Sequence, residues 1–138
     1  EMTIQALTRC GHVARPRSDF NPKRHATPDV RTLSQTKRSA LIRKDPAYGE
    51  ILCRCEEVSR GEIRDALRSP VPATTIDGIK RRVRAGAGRC HGGFCLPRVI
   101  ATMAEEMGVP IVDITRKGSG SEVLLAPTKQ GVPHADAV

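Results

Sequence analysis

The sequence predicts a small, mainly α-helical fold with an extended N-terminal arm and a short C-terminal β-hairpin. Two observations support the helical middle: apolar residues recur three and four positions apart between about 60 and 107, and a helix-start signal precedes each run. A third observation limits the core, because aromatic residues make up only 2% of the chain. In a chain of 138 residues we therefore expect a modest, aliphatic core.

Residues 1–50 are predicted to be an arm or linker with one short helix. Residues 11–32 contain three prolines and few apolar side chains, so they bury too little surface to fold alone. Ser34 is placed to cap the short helix, and the turn residues "DPAYG", 45–49, end it. Because the arm has no core of its own, we expect it to be a contact surface for a partner.

The domain of residues 51–108 is predicted to contain three helices. Ser59 and Glu62 have the spacing of a capping box, in which each side chain satisfies a free amide at the helix start. Glycine and proline mark the helix ends. The first helix is predicted to start at Ser59 and to stop before Pro70. The second is predicted to start at Thr74 or Thr75 and to stop at Gly86. The third is predicted to start at Cys95, with Pro97 in its first turn, and to stop at Gly108.

The last segment, residues 109–138, is predicted to be a hairpin followed by a loose tail. The stretch "PIVDITRKGSGSEVLL" alternates a short apolar run, a glycine turn and another apolar run. Residues 127–138 show no periodic pattern, and we expect them to be the tail.

The charge of the chain indicates an anionic partner or cofactor. The formal net charge is +8, and no apolar run approaches the roughly 18 residues that a membrane span needs. The first residues lack the charged-then-apolar order of a signal peptide, which predicts a cytoplasmic location. The chain begins at Glu1 without an initiator methionine, and we expect it to be a fragment of a longer protein.

Four of the five cysteines form two close pairs, Cys53 with Cys55 and Cys90 with Cys95. An odd number of cysteines, clustered in this way, argues against a secreted disulfide framework. The pattern instead predicts a metal site in a reducing compartment, with Cys10 left as a free thiol.

The surroundings of the two pairs favour a negatively charged centre. If the first two helices form a hairpin, both pairs return to the same end. Gly92 and Gly93 can donate amides to a bulky group, and the positive end of the third helix points at the site from Cys95. Arg54 and Arg89 each neighbour a thiol.

Two kinds of centre fit four thiols. A tetrathiolate [2Fe–2S] cluster suits the CxC and Cx4C spacings, whereas zinc sites more often use two to four intervening residues in both halves. The spacing favours iron–sulfur, and zinc stays open. His91 is unnecessary as a ligand and is expected to be a neighbouring or solvent-facing residue; His12, His25 and His134 have no assigned role.

Two long stretches resemble a known family, the bacterioferritin-associated-ferredoxin-like [2Fe–2S] domain. They are "ILCRCEEVSRGEIRDAL" and "TTIDGIKRRVRAGAGRCHGGFCLPRVIATMAEE". The flanks "DFNPKRHATPDVRTLS", "DPAYGEILCRC" and "TRKGSGSEVLLAP" resemble the version at the C-terminus of FAD-dependent dehydrogenases, such as the anaerobic glycerol-3-phosphate dehydrogenase large subunit. The resemblance covers about 16–127; His91 and Ala87 depart from the common glutamine and methionine, and neither departure removes a ligand.

The resemblance implies an electron-transfer domain in which Cys53, Cys55, Cys90 and Cys95 bind the cluster. FAD is expected on a partner domain or subunit of the glycerol-3-phosphate or 2-hydroxyacid dehydrogenase type, because "AGAGRC" does not follow a strand and cannot replace a dinucleotide motif. The chain is then not catalytic alone. Its electrons pass to an acceptor protein or a quinone-linked subunit, in the cytoplasm or at the inner face of the membrane through partners.

Two alternatives remain at this level. One is a zinc-stabilised basic module that binds nucleic acid through "KRRVR", residues 80–84, although the neighbouring anionic centre already accounts for part of that charge. The other is a structural or sensory cluster that conducts no electrons.

Overall fold

The computed structural model describes residues 2–12, 18–21, 23 and 26–126, and within them the fold is mainly α-helical, as predicted. Residues 13–17, 22, 24 and 25, within the predicted arm, and the predicted tail, 127–138, lie outside the described residues, as do His25 and His134. The helices are α1 (Met2–Arg9), α2 (Gln35–Lys44), α3 (Arg60–Arg68), α4 (Ile76–Val83) and α5 (Leu96–Met107), and the strands are β1 (Ile51–Cys53) and β2 (Val58–Ser59). None of the described helices has the length and apolar content of a membrane span.

The three predicted helices of the middle domain are confirmed as α3, α4 and α5. The start of α5 at Cys95 and its left-handed cap at Gly108 are as predicted. The predicted end of α4 at Gly86 is wrong, because the helix ends at Val83 and Arg84 takes the left-handed cap with a φ of 64°. The Arg84 side chain pairs with Glu56, and this contact accompanies the early turn.

A short antiparallel hairpin that was not predicted from the sequence precedes α3. Strand β1 pairs with β2 through Ile51 opposite Ser59 and Cys53 opposite Val58, with an irregularity between the two pairs. The strands are only three and two residues long, too short for an alternating pattern to be recognised. This hairpin places "RCEE" in its turn.

The predicted capping box is present at the β2–α3 junction. Ser59 N–H and Ser59 Oγ both donate to Glu62 Oε2, at 2.7 and 2.6 Å, and Glu62 N–H donates to Ser59 Oγ. The other carboxyl oxygen of Glu62 accepts the backbone N–H of Val30 at 3.3 Å. Val30 is 1% exposed, so this end of the predicted arm packs on the chain's own domain rather than standing free for a partner.

The segment before β1 is also anchored to α3. A 3-10 helix over Pro46–Gly49 replaces a simple turn at "DPAYG" and buries Tyr48. The Tyr48 ring lies on Gly61, where a Cβ atom would come within 2.8 Å of it. Tyr48 OH also hydrogen bonds to Asp65, and Arg64 pairs with Asp45.

The predicted C-terminal hairpin is reduced to one isolated bridge between Thr115 and Glu122. Residues Ile111–Asp113, where a strand was expected, form a 3-10 helix. The carbonyls of Thr115 and Arg116 accept the first amides of α4, from Ile76 and Asp77, at 3.1 Å each. Because the N-terminal amides of α4 bind these carbonyls, residues 115–116 cap a helix instead of continuing the hydrogen bonding of a β-hairpin.

The core lies where α3 packs against α4 and α5. As expected from the composition, its fully buried members are aliphatic or sulfur-containing; the largest are Ile63, Ile79, Met103 and Ile114. Ion pairs from Arg60 to Glu105 and from Arg68 to Glu106, both at 2.6 Å, join α3 to α5 at the surface. The contact between α3 and α4 is the helix hairpin on which convergence of the two cysteine pairs depends.

Replacing Glu62 by alanine is expected to destabilise the chain by about 2–4 kcal/mol, because it removes the helix cap and leaves buried Ser59 and Val30 donors unpaired. The free energy of unfolding from denaturant titration measures the effect. Glu105→Ala, which removes one surface ion pair, is the control and should change stability far less. Equal losses for the two variants would contradict a special role for the buried carboxyl.

Candidate metal centre

The four paired cysteines lie on two segments that the α3–α4 hairpin brings together. Cys53 ends strand β1, and Cys55 lies in the turn that follows. Cys90 lies in the loop after α4, and Cys95 is the residue at which α5 begins. The burial divides them into an inner pair, Cys53 and Cys95, which are 1% and 3% exposed, and an outer pair, Cys55 and Cys90, which are exposed and half-buried.

All four thiols line one cavity of about 450 Å³, here called the cysteine cavity. The two outer sulfurs, Cys55 Sγ and Cys90 Sγ, are 3.5 Å apart although 35 residues separate them in the chain. The other lining residues are Leu52, Arg54, Phe94 and Arg98. A single water molecule needs only about 10–15 Å³ of cavity volume, so the cysteine cavity is large enough for a group bigger than one ion.

Among the residues that the structure describes, no three His, Cys, Asp or Glu side chains are arranged to hold a single metal ion. All four cysteines nevertheless line the one cysteine cavity, so the fold brings both pairs to a single site.

The loop from Arg84 to Cys95 folds through successive tight turns. Backbone hydrogen bonds run from Ala87 to Arg84, from His91 to Gly88 and from Gly93 to Cys90, at 2.8–2.9 Å. His91 has a φ of 48° and Gly92 a φ of 89°, so the chain reverses direction directly after Cys90. These turns point backbone N–H groups of the loop toward the Cys90 thiol.

The Cys90 thiol receives those amides. The N–H of Gly92, then the Cys55 thiol and the N–H of Phe94, hydrogen bond to it and lower the pKa of Cys90. The predicted amide donation is thus present at Gly92 but wrong for Gly93, whose N–H donates to the Cys90 carbonyl; Phe94 is the second donor. At the start of α5, by contrast, Leu96 N–H already donates to Gly92 C=O and Pro97 has no N–H, so the loop rather than the helix supplies these contacts.

The inner thiol Cys95 behaves in the opposite way. Burial, followed by the charge of Cys53, raises the pKa of Cys95 to about 11. Its thiolate form is therefore unfavourable at neutral pH unless a cation is bound. Because metal binding requires deprotonated thiols, loading this cavity must release a proton from its buried side.

Gly88 makes the closest approach within the site. A Cβ atom at this position would lie 2.3 Å from Cys55 Cβ, which is far inside any real contact distance. The absence of a side chain at Gly88 therefore lets the loop before Cys90 lie directly on the turn that carries Cys55. This role was missed from the sequence, where Gly88 was considered only as part of "AGAGRC".

Arginines surround the centre, and several are held by carboxylates. Arg98, one turn into α5, donates to Glu50 at 2.8 Å and to the Ile51 carbonyl at 3.2 Å, which fastens α5 to β1. Arg84 pairs with Glu56 at 2.7 Å, and this guanidinium holds the pKa of Glu56 below its usual range. Neither pair was found from the sequence, since no local pattern links residues so far apart.

The remaining sequence predictions have simple outcomes. His91 is exposed and does not line the cysteine cavity, in agreement with a solvent-facing role. Cys10 is a free, exposed thiol. Within "KRRVR", Arg82 bonds Ser69 and the Val71 carbonyl, and Arg84 bonds Glu56, so two of its basic side chains are used inside the chain.

Comparison with known proteins supports the resemblance. Residues 51–105 match the family described as the BFD-like [2Fe-2S] binding domain, so the predicted resemblance is confirmed for that part of the chain. The matched region contains all four paired cysteines and helices α3 and α4. No solved structure matches the chain.

Several curated proteins are similar over part of their length. A "Glycerol 3-phosphate dehydrogenase" of Caloramator mitchellensis is 47% identical over 116 residues, which cover 84% of this chain and 24% of that protein. An opine oxidase protein of Rhizobium meliloti is 37% identical over 81 residues, 57% of this chain and 14% of that protein. "Hydrogen cyanide synthase subunit HcnB" of Pseudomonas aeruginosa is 48% identical over 46 residues, 33% of this chain and 10% of that protein. The chain thus spans no more than about a quarter of these relatives.

Replacing Gly88 by alanine is expected to lower iron and acid-labile sulfide content and to destabilise the chain by about 1–3 kcal/mol, because the new methyl group overlaps Cys55. Iron and sulfide assays on anaerobically purified protein, with thermal unfolding, measure both effects. The control is Gly120→Ala: its φ of 80° strains an alanine, a strain absent at Gly88, but the methyl group meets nothing within 4 Å, so iron content should stay unchanged. Full iron content in the Gly88 variant would refute the close packing.

Proposed function

We propose, from the match of residues 51–105 to the BFD-like [2Fe–2S] binding domain, that this chain is an electron-transfer module whose cluster is held by Cys53, Cys55, Cys90 and Cys95. The observation that carries the proposal is the convergence of these thiols on one cavity from two distant segments. Each segment contributes one buried and one more accessible thiol.

The donor set fits a [2Fe–2S] cluster. Four thiolates are the usual ligands of such a cluster, and the cysteine cavity has room for a group larger than one ion. When bound, the cluster supplies a carrier that accepts and releases one electron at a time. The size of the cavity and the family match support this cofactor over a single zinc ion, which four thiols could also bind.

The chain's own residues would hold and tune the centre. Leu52 and the inner pair are buried and keep water from one side of the cavity. The amides of Gly92 and Phe94 donate to Cys90, and Arg54 and Arg98 place positive charge in the wall. Donors and cations beside an anionic centre favour its more reduced state, so they are expected to raise the reduction potential.

The partner is proposed to be a flavin-bearing dehydrogenase or oxidase, as a domain of the same protein or as a separate subunit. Removing a hydride equivalent from a substrate carbon requires a two-electron acceptor, whereas an iron–sulfur cluster carries single electrons. The names of the relatives, a glycerol 3-phosphate dehydrogenase and an opine oxidase, support a role beside such an enzyme. Electrons would leave the chain for an acceptor protein or a quinone-linked subunit.

Serine replacement of Cys53, Cys55, Cys90 or Cys95, one at a time, is expected to remove most of the visible absorbance of the anaerobic protein. The reason is that each substitution removes one of four ligands. Cys10→Ser is the matched control, since Cys10 is an exposed free thiol outside the cavity, and its spectrum should be unchanged. Normal iron and sulfide content in Cys90→Ser would rule out the proposed ligand set.

The chain alone is expected to be reduced by dithionite but not by glycerol 3-phosphate or a 2-hydroxyacid. A one-electron centre without a bound flavin cannot accept a hydride equivalent. Anaerobic bleaching of the visible spectrum with each reagent tests this division of labour, and a reversible dithionite response shows that the centre can carry an electron. Bleaching of the chain by substrate alone would overturn the proposal.

A further inference from the structure

The cysteine cavity is asymmetric, and its accessible edge can be identified. Cys53 and Cys95 are buried, whereas Cys55 is exposed and Cys90 is half-buried. Electron transfer between proteins weakens steeply with distance, so a partner gains most by approaching the side of Cys55 and Cys90. That side defines where a docking surface would have to lie.

An exposed aromatic residue lies at this edge. Phe94 lines the cysteine cavity, yet its side chain is 86% exposed. The backbone fixes this position: Phe94 N–H donates to Cys90, and Cys95, its neighbour, turns into the core. The turn that carries two thiols therefore holds the Phe94 backbone at the edge of the cavity, where its side chain is exposed.

The same edge is positively charged. The cavity wall includes Arg54 and Arg98 but no acidic side chain among the described residues. Arg98 is neutralised by Glu50, whereas Arg54 is exposed and forms no ion pair with any residue that the structure describes. Arg89 does not line the cavity but precedes Cys90, which does; it is likewise exposed and forms no ion pair within the described part of the chain. We call the surface of Phe94, Arg54, Arg89 and Cys55 the mouth.

We propose that the mouth is the docking surface for the flavin-bearing electron partner, with Phe94 seated in an apolar pocket of that protein and Arg54 and Arg89 facing its carboxylates. This inference rests on the proposed function and adds the contact face and its chemistry. Buried aromatic anchors surrounded by charged contacts are the residues that dominate the binding energy of protein interfaces.

Charge complementarity identifies the partner face as acidic. The chain carries a formal net charge of +8, and the mouth contains two arginines that are not paired with any described carboxylate, where an electron must cross. Opposite charges on two approaching proteins accelerate association, and salt screens that acceleration. One electron crosses in each encounter, so one electron leaves the reduced flavin for each centre reduced.

The test uses the anaerobic holoprotein and reduced flavodoxin, an acidic flavoprotein, as the probe, in a stopped-flow spectrometer at low salt. Phe94→Ala is expected to slow reduction of the cluster by flavodoxin about tenfold, because truncating an anchor residue costs more than 1 kcal/mol of binding energy. Phe94→Leu keeps an apolar side chain and is expected to slow it less than tenfold. Arg54→Glu should slow it at low salt, and the difference should disappear at high salt.

The controls are Val71→Ala and Arg43→Glu, which change an exposed apolar and an exposed cationic side chain outside the cysteine cavity and should leave the rate unchanged. Iron content and the rate of reduction by dithionite are measured for every variant. Wild-type rates with flavodoxin in both Phe94→Ala and Arg54→Glu would overturn the docking surface. So would a mass measurement showing that Phe94→Ala merely converts a dimer of this chain to a monomer. If dithionite failed to reduce the wild-type protein, that result would instead contradict the proposed electron-transfer function.

Discussion

The buried carboxyl of Glu62 determines much of the surrounding geometry. It accepts hydrogen bonds from Ser59 and from Val30, which ties together the end of β2, the start of α3 and the end of the N-terminal arm. Ser59 and Glu62 are 0% and 4% exposed, so water cannot replace these contacts. The direction in which α3 leaves the β-hairpin, and hence the position of the turn that carries Cys55, follows from this junction.

The site itself contains two opposed environments. The outer thiol Cys90 is stabilised as a thiolate by loop amides, while the inner thiol Cys95 is held protonated by burial. Four thiolates in one cavity would repel one another strongly in the absence of a cation, and the two inner ones would also lose hydration. The protein therefore brings the sulfurs together while burial keeps the inner thiol Cys95 protonated, and metal binding must displace that proton.

Contacts outside the thiols themselves hold the two cysteine segments together. Arg98 connects the first turn of α5 to Glu50 and Ile51, directly before Cys53. Gly88 allows the loop before Cys90 to touch Cys55. The carbonyls of Thr115 and Arg116 fix the start of α4. With so small an aliphatic core, these polar and steric contacts carry a large part of the specificity of the fold.

The sequence alone determined the features that depend on near neighbours. The Ser59–Glu62 box, the start of α5 at Cys95 and the spacing of the two thiol pairs are encoded within a few residues, and all are present in the structure. Long-range pairing decided the rest: the β1–β2 hairpin, the close approach of Gly88 to Cys55 and the exposure of Phe94. Arg84 ended α4 before Gly86, and Thr115 and Arg116 capped α4 rather than forming a strand. A local pattern records which conformations a segment prefers, but which carbonyl, charge or surface meets that segment is fixed only when distant parts of the chain pack together.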